Sequence, residues 1–354
     1  MKRVKRLALV LGAMSPIGAA LMLHPQLRRY DQVILSEKRS RHYFLEQLSS
    51  KISREATTIS VAPLDAGKPF AGIDVRSGAF SDADIVDIFY LAHLRDRGMG
   101  ASEVREHNTL MFDRVLSIAY KLPSLHSLSI LTDIGLVGDY PGCFSENWVD
   151  VGQTPFDEVD RSSLDIELLC LKENHLPIIR TRVGFVLPPE NVEVPTAFWP
   201  KVSETVVGIA PLLRKLPRFL TLPVAAAKGA LAPITPSELA AEVLLKGCEG
   251  TPEAGAIHAV VDPSPTIESA LRVASRSVGG ARLKPGLPVD KVAKLGRIPG
   301  LKELARRNAD QIAAWWTPHR YCISKNEVDT SKLRGLLPKA RTQYEWSKLQ
   351  SRFK

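Results

Sequence analysis

The chain has 354 residues, of which 45% are apolar, 24% charged and 6% aromatic. That balance belongs to a globular protein and excludes a disordered, collagen-like or small disulfide-stapled chain. Lys and Arg number 47 against 38 Asp and Glu, a formal charge of +9, which reads first as a solubilising surface and also suits an anionic partner. No RNA-recognition or zinc-finger pattern is present, so nucleic acid is not favoured. No apolar run reaches the ~18 residues of a membrane-spanning helix. The 4 cysteines, Cys143, Cys170, Cys248 and Cys322, lie too far apart for a disulfide framework or a zinc site. Isolated thiols fit a reducing, cytoplasmic setting.

The opening MKRVKRLALVLGAMSPIGAALML has the basic start and apolar continuation of a signal peptide. The breaks at Gly12, Ser15, Pro16 and Gly18 favour another reading: a strand over 7–11, a glycine turn, and a helix whose first turn accommodates Pro16. On that reading GAMSPIG is an anion-binding turn. Gly12 permits the tight turn, Gly18 permits close helix–strand packing, and the helix start around Ser15, Pro16 and Ile17 faces a phosphate.

Further strands are expected over 32–36, 58–62, 84–92, 127–131 and 177–186. They alternate with helices over 40–52, 102–122 and 156–174. Such alternation argues for a parallel sheet covered on both faces, a Rossmann-type domain over 4–188. Beyond Pro188-Pro189 the texture changes. Residues 189–354 are rich in Pro, Lys and Leu and mostly helical by pattern, for example over 236–247 and 301–316, with a strand at 256–261. They read as a lobe closing over a pocket at the carboxyl ends of the strands. PLLRKLPRFLTLP, 211–223, reads as a helix packed on this lobe with its basic residues outward; the alternative is a surface for membrane or an acyl carrier.

The stretch GLVGDYPGCFSENWVDVGQTPFDEVDRSSLDIE, 135–167, resembles the extended short-chain dehydrogenases/reductases, in their thioester-reductase and male-sterility (fatty acyl reductase) branch. Gly138, Asp139, Gly142, Phe144, Glu146, Val151-Gly152-Gln153, Phe156, Arg161, Ser162 and Glu167 match that branch's pattern. GAMSPIG, Gly72 with Asp74, IFYLA at 88–92 and Asn108 extend the likeness. The resemblance implies an α/β fold, a Rossmann-type doubly wound parallel sheet with a smaller, mostly helical C-terminal substrate lobe. It implies a nicotinamide cofactor held by Gly12, Ser15, Pro16, Ile17, Gly18, Arg39, Asp74, Leu91 and Ala92. It further implies an apolar, acyl-type substrate or an acyl carrier as partner, with a homodimer possible.

The branch's chemistry uses a Tyr phenol as acid, a Lys four residues on, and a Ser or Thr that binds the carbonyl. Aligned through Arg161-Ser162, the three positions are Val159, Ser163 and Thr132. Only the hydroxyl at Thr132 survives. Anchoring on Phe156 instead gives Asp160 and Leu164, a pair no better. The expectation is therefore an NAD(P)-binding protein that lacks standard hydride-transfer machinery. Two alternatives stand beside it. One is an active oxidoreductase with substitute groups, Thr132 on the carbonyl and Tyr90 or water as acid. The other is a non-redox enzyme (cyclase, dehydratase or lyase) or an interaction scaffold. The basic cluster Lys38, Arg39 and Arg41, with Arg76, tips cofactor choice towards NADP over NAD.

Overall fold

The computed structural model describes residues 3–38, 43, 45–46, 57–92, 101–155, 157–189, 221–224, 229–249, 255–278, 282–285 and 327–337. The expected helices over 40–52 and 301–316, and the basic stretch from 211 to 220, lie largely or wholly outside them.

Strand β1 (Arg6–Leu11) leads through the glycine turn into α1 (Pro16–Leu23). There follow β2 (Gln32–Glu37), β3 (Thr58–Pro63), the one-turn α2 (Gly78–Ser81), β4 (Ile85–Tyr90) and α3 (Ala101–Lys121). Next come β5 (Leu125–Asp133), β6 (Cys143–Phe144), α4 (Glu158–Lys172), β7 (Ile178–Val183) and β8 (Phe185–Leu187). The later elements are β9 (Thr221–Val224), β10 (Ile234–Pro236), α5 (Ser237–Gly247), β11 (Gly255–His258), α6 (Ile267–Val278), β12 (Arg282–Pro285), β13 (Glu327–Val328) and α7 (Ser331–Leu336).

Seven strands form one parallel sheet in the order β11-β7-β5-β4-β1-β2-β3. Strands β1 and β4 are largely apolar runs buried on both faces, as a covered parallel sheet requires, while β7 carries Arg180, Thr181 and Arg182 into the core. Edge strand β3 is only half-buried. One face packs on α1 and α5, the other on α3 and α4. The strand order reverses between β1 and β4, so a ligand crevice is expected outside their carboxyl ends.

The strand expected over 177–186 is broken at Gly184. A Cβ there would collide with the Pro233 carbonyl oxygen, so glycine allows the chain to leave the main sheet, and β8 pairs with β10 instead. The strand expected over 256–261 ends at His258, and Val261 instead donates its N–H to the carbonyl of Ile234 in β10. The first strand and turn stand where the sequence puts them. Among the described residues no helix is long and apolar enough to cross a membrane.

A buried ionic cluster ties the sheet to the C-terminal segment. Glu167 of α4 accepts from Arg182 Nε at 2.8 Å and Nη2 at 2.6 Å, and from Arg180 Nη1 at 3.3 Å. Arg182 also donates to His258 Nε2 at 3.0 Å and to the Trp148 carbonyl. His258 is therefore neutral and donates its Nδ1–H to the carbonyl of Asp329, just past β13. Glu146 completes the tie, accepting the N–H groups of His258 and Lys332.

Burial, reinforced by the Arg182 charge, pushes the His258 imidazole down to about 3. Below its ordinary value of 6.5 the unfolded chain takes up a proton that the folded chain refuses, so this residue makes stability fall as pH drops. Replacing it by Gln, which keeps an acceptor for Arg182, should flatten the fall in Tm between pH 7.5 and 5.0, as followed by circular dichroism.

Candidate active site

The cofactor half of the site is built by the turn between β1 and α1. Gly12 has φ +86°, and a Cβ on it would lie 2.7 Å from the Ala92 backbone. Only glycine lets the turn seat directly on the end of β4. On Gly18 a Cβ would collide with the Ala13 carbonyl. Ser15 caps α1, its Oγ accepting the Gly18 N–H at 2.9 Å, and Pro16 takes the first helical position.

The turn is largely satisfied from within. The N–H groups of Gly12 and Ala13 go to the Ser36 carbonyl at 2.8 and 3.3 Å, and that of Ser15 to the Gly12 carbonyl at 3.2 Å. Met14 N–H goes to the Glu37 carboxylate at 3.0 Å. Pro16 has no N–H. Among the described residues Ile17 thus holds the one backbone N–H of the turn without a protein acceptor.

Glu37, the last residue of β2, is buried, and its other oxygen accepts the Lys38 N–H at 2.9 Å. An acidic group is therefore fixed at the end of β2 beside the turn. Lys38 is half-buried, and its charge, added to burial, pushes His107 of α3 down. Leu91 is buried and donates its N–H to Leu11, and Ala92 lies against Gly12. Asp74 is exposed and caps its own turn through the Arg76 N–H. Arg39 lies outside the described residues.

The catalytic half differs from the expectation in one respect. Thr132 is fully buried, and its hydroxyl donates to Glu167 at 2.7 Å. It is drawn into the ionic cluster rather than presented to a carbonyl. Val159 is half-buried on the first turn of α4. Ser163 is fully buried and its Oγ accepts the Asp133 N–H at 3.2 Å. No phenol and no ammonium stand at these positions. The polar groups that gather there are Ser163, Asp160 and Asp133. A Cβ on Gly135 would lie 2.9 Å from the Asp133 carboxylate and collide with that of Asp160. Tyr90 is fully buried, stacked at a tilt on Phe112 with centroids 5.8 Å apart, and burial pushes its phenol well up. It is a poor proton donor.

Several residues that carry the family likeness brace the loop after β5. Gly138 has φ +54°, and a Cβ on it would collide with the Thr154 carbonyl. Asp139 accepts the Thr154 N–H at 2.6 Å. Gln153 donates to the carbonyls of Leu136 and Val149. Asn108 of α3 donates to Ser162 of α4 at 3.0 Å. A cavity of about 210 Å³ opens beside this loop, lined by Gly135, Val137, Val260, Asp262, Glu327 and Thr330 among others.

Two features escaped the sequence reading. Glu37 is a ligand of the turn, a role signalled only by an acidic residue ending β2. The Glu167 cluster was signalled by Arg180-Thr-Arg182 inside an apolar strand, since buried arginines demand a counter-charge.

No family model matches the chain, and no curated protein matches it. Solved structures do match. The terminal R domain of the myxalamid polyketide–nonribosomal peptide pathway has TM-score 0.70 at 15% identity, over 100% of this chain and 90% of that one. The UDP-glucuronic acid 4-epimerase of Bacillus cereus, with UDP-glucuronic acid and NAD, has TM-score 0.63 at 15% identity, over 98% and 96%. A putative epimerase from Burkholderia cenocepacia J2315 has TM-score 0.61 at 15% identity, over 99% of both chains. The fold is Rossmann-type, with a parallel central sheet, as in these R-domain and epimerase structures.

If the Thr132 hydroxyl serves Glu167, Thr132→Val should destabilise the protein by about 1.5–3 kcal/mol, the worth of a hydrogen bond to a charged group. Glu167→Gln should cost more, about 3–5 kcal/mol, because two buried arginines lose their counter-charge. Urea denaturation measures both. Wild-type stability in Thr132→Val would return that hydroxyl to the substrate.

Proposed function

We propose that this protein binds a nicotinamide dinucleotide at the β1–β4 crevice, prefers NAD(H), and lacks the Tyr–Lys route for hydride transfer. The observation that carries the reading is Glu37. It ends β2, 19 residues beyond Gly18, and is locked beside the turn, where a carboxylate accepts from a ribose 2′-OH and repels a 2′-phosphate. This reading sets Glu37 above the basic cluster that favours NADP. Gly12 fits the group too, since it lets the turn reach the end of β4, and Ile17 offers an N–H to a phosphate.

A bound nicotinamide would supply or accept a hydride. The chain's own residues would hold it, through Gly12, Ile17, Glu37, Leu91 and Ala92. They offer no phenol to protonate a carbonyl and no ammonium to lower a phenol's pKa. The cavity beside the loop after β5, apolar along Val137 and Val260, suits an acyl-like ligand. A cytoplasmic site of action accords with such a cofactor.

Calorimetric titration tests the reading. NADH should bind at least about ten-fold more tightly than NADPH, and Glu37→Gln should narrow the gap. Binding of neither nucleotide sinks the reading, and equal binding removes the NAD preference. Carbonyl reduction should be absent in the wild type. The double variant Val159→Tyr/Ser163→Lys should gain it, as followed by NADH absorbance with an aldehyde and acyl-thioester panel.

A further inference from the structure

The chain carries a formal charge of +9, yet the cavity beside the loop after β5 is lined with the opposite sign. Among its described lining residues the only ionisable side chains are Asp262 and Glu327. Leu231, Val260, Val261 and Val328 supply hydrocarbon. The two hydroxyls of the lining are engaged, Ser264 donating to the Val261 carbonyl and Thr330 to Asp262.

Both carboxylates keep acceptor capacity. Asp262 spends Oδ2 on Thr330 Oγ1 and Arg334 Nη1, each at 3.0 Å, and its Oδ1 has no protein donor among the described residues. The exposed Glu327 side chain has none there either. The basic groups of α7 do not reverse the sign. Arg334 is more than half exposed, so solvent screens its pull on Asp262. Lys332 directs its Nζ at β11, where a Cβ on Gly255 would lie 2.5 Å from it. The Cys143 thiol, in register with Glu327 across β6–β13, feels the same field: burial pushes it up, and the charges of Asp329 and Glu327 push it further. Size adds a second constraint. A cavity of about 150 Å³ takes one benzene ring, so about 210 Å³ takes one ring with a short arm. An anionic arm would meet carboxylates, and a cationic arm would be held by them.

We propose that this cavity binds an apolar cation, and that the compound reduced there is an iminium ion, not a carbonyl compound. The second half deepens the reading given under Proposed function and rests on it. A carbonyl carbon that takes a hydride leaves an alkoxide, which must gain a proton, and that reading finds no phenol in place to give one. An iminium carbon takes the hydride with its electron pair, the C=N π pair moves to nitrogen, and a neutral amine results with no proton transferred. The reductant is NADH, oxidised to NAD+. The hydrocarbon body already assigned to this cavity keeps its place, and the charge of its reacting end is what Asp262 and Glu327 select.

Calorimetry of the free protein with three probes of one skeleton tests the first half. Phenethylammonium should bind about 3- to 10-fold more tightly than phenethyl alcohol, and phenylacetate more weakly than either. Added salt should shrink the preference. Glu327→Gln should narrow the ammonium–alcohol gap about 2- to 4-fold with Tm unchanged, and Asp262→Asn, which keeps an acceptor for Thr330, should narrow it similarly. The second half is read from NADH absorbance with the cyclic iminium salt N-methyl-dihydroisoquinolinium against benzaldehyde, with turnover expected for the iminium alone. Equal affinity for the three probes, or a gap that both variants leave intact, would overturn the proposal. Cation-selective binding without oxidation of NADH, in protein that binds NADH, would overturn the iminium half and spare the dinucleotide reading. Cation-selective binding in protein that binds no NADH would support the cation site and overturn the iminium half together with that reading.

Discussion

The pairing of Glu167 with Arg182 organises this molecule. Both side chains are fully buried, and such a pair holds only if its remaining donors and acceptors are also satisfied. Those partners come from far apart in the chain: Thr132 of β5, the Trp148 carbonyl, His258 of β11 and, through His258, the Asp329 backbone. Losing the pair would leave charge stranded beneath the end of β5. The same requirement fixes the tautomer of His258 and directs the hydroxyl of Thr132 inward. A residue type that suggests carbonyl binding thus serves as a ligand of the core.

The two halves of the crevice have diverged in chemistry. On the cofactor side the backbone does what a dinucleotide fold demands: a parallel sheet reversing at β1, a glycine turn seated on β4, and a capped helix start. The polar groups there are unusual in detail, with a carboxylate bonded into the turn and a proline at its rim. Across the crevice α4 meets the end of β5, where Val159 presents a hydrocarbon side chain and Ser163 a hydroxyl bonded to the Asp133 N–H. The carboxylates of Asp133 and Asp160 crowd the space that Gly135 leaves open.

Much of the fold was legible because parallel strands buried on both faces are plain apolar runs, and because Gly12, Pro16 and Gly18 punctuate the first turn in a recognisable way. Gly138, Asp139 and Gln153 carried the likeness over 135–167, and each braces the loop after β5 locally. The break at Gly184 was not legible, since it depends on Pro233, which is remote in sequence. Nor was the bond from Glu37 to the turn legible, since the basic residues that follow it tip the sequence reading towards NADP. Its carboxylate matters because β2 ends where the Met14 N–H points.

The sequence by itself determined the order of strands and helices and the glycine turn, and it put valine and serine at 159 and 163. Those are properties of local patterns and of residue identity. Only the tertiary structure decided where the hydroxyl of Thr132 points, which carboxylate joins the turn, and that Ser36 and Tyr90 share the rung beside Leu11. Each of those depends on groups tens of residues apart being brought within hydrogen-bond reach or into register. No pattern of neighbours along the chain encodes such a meeting.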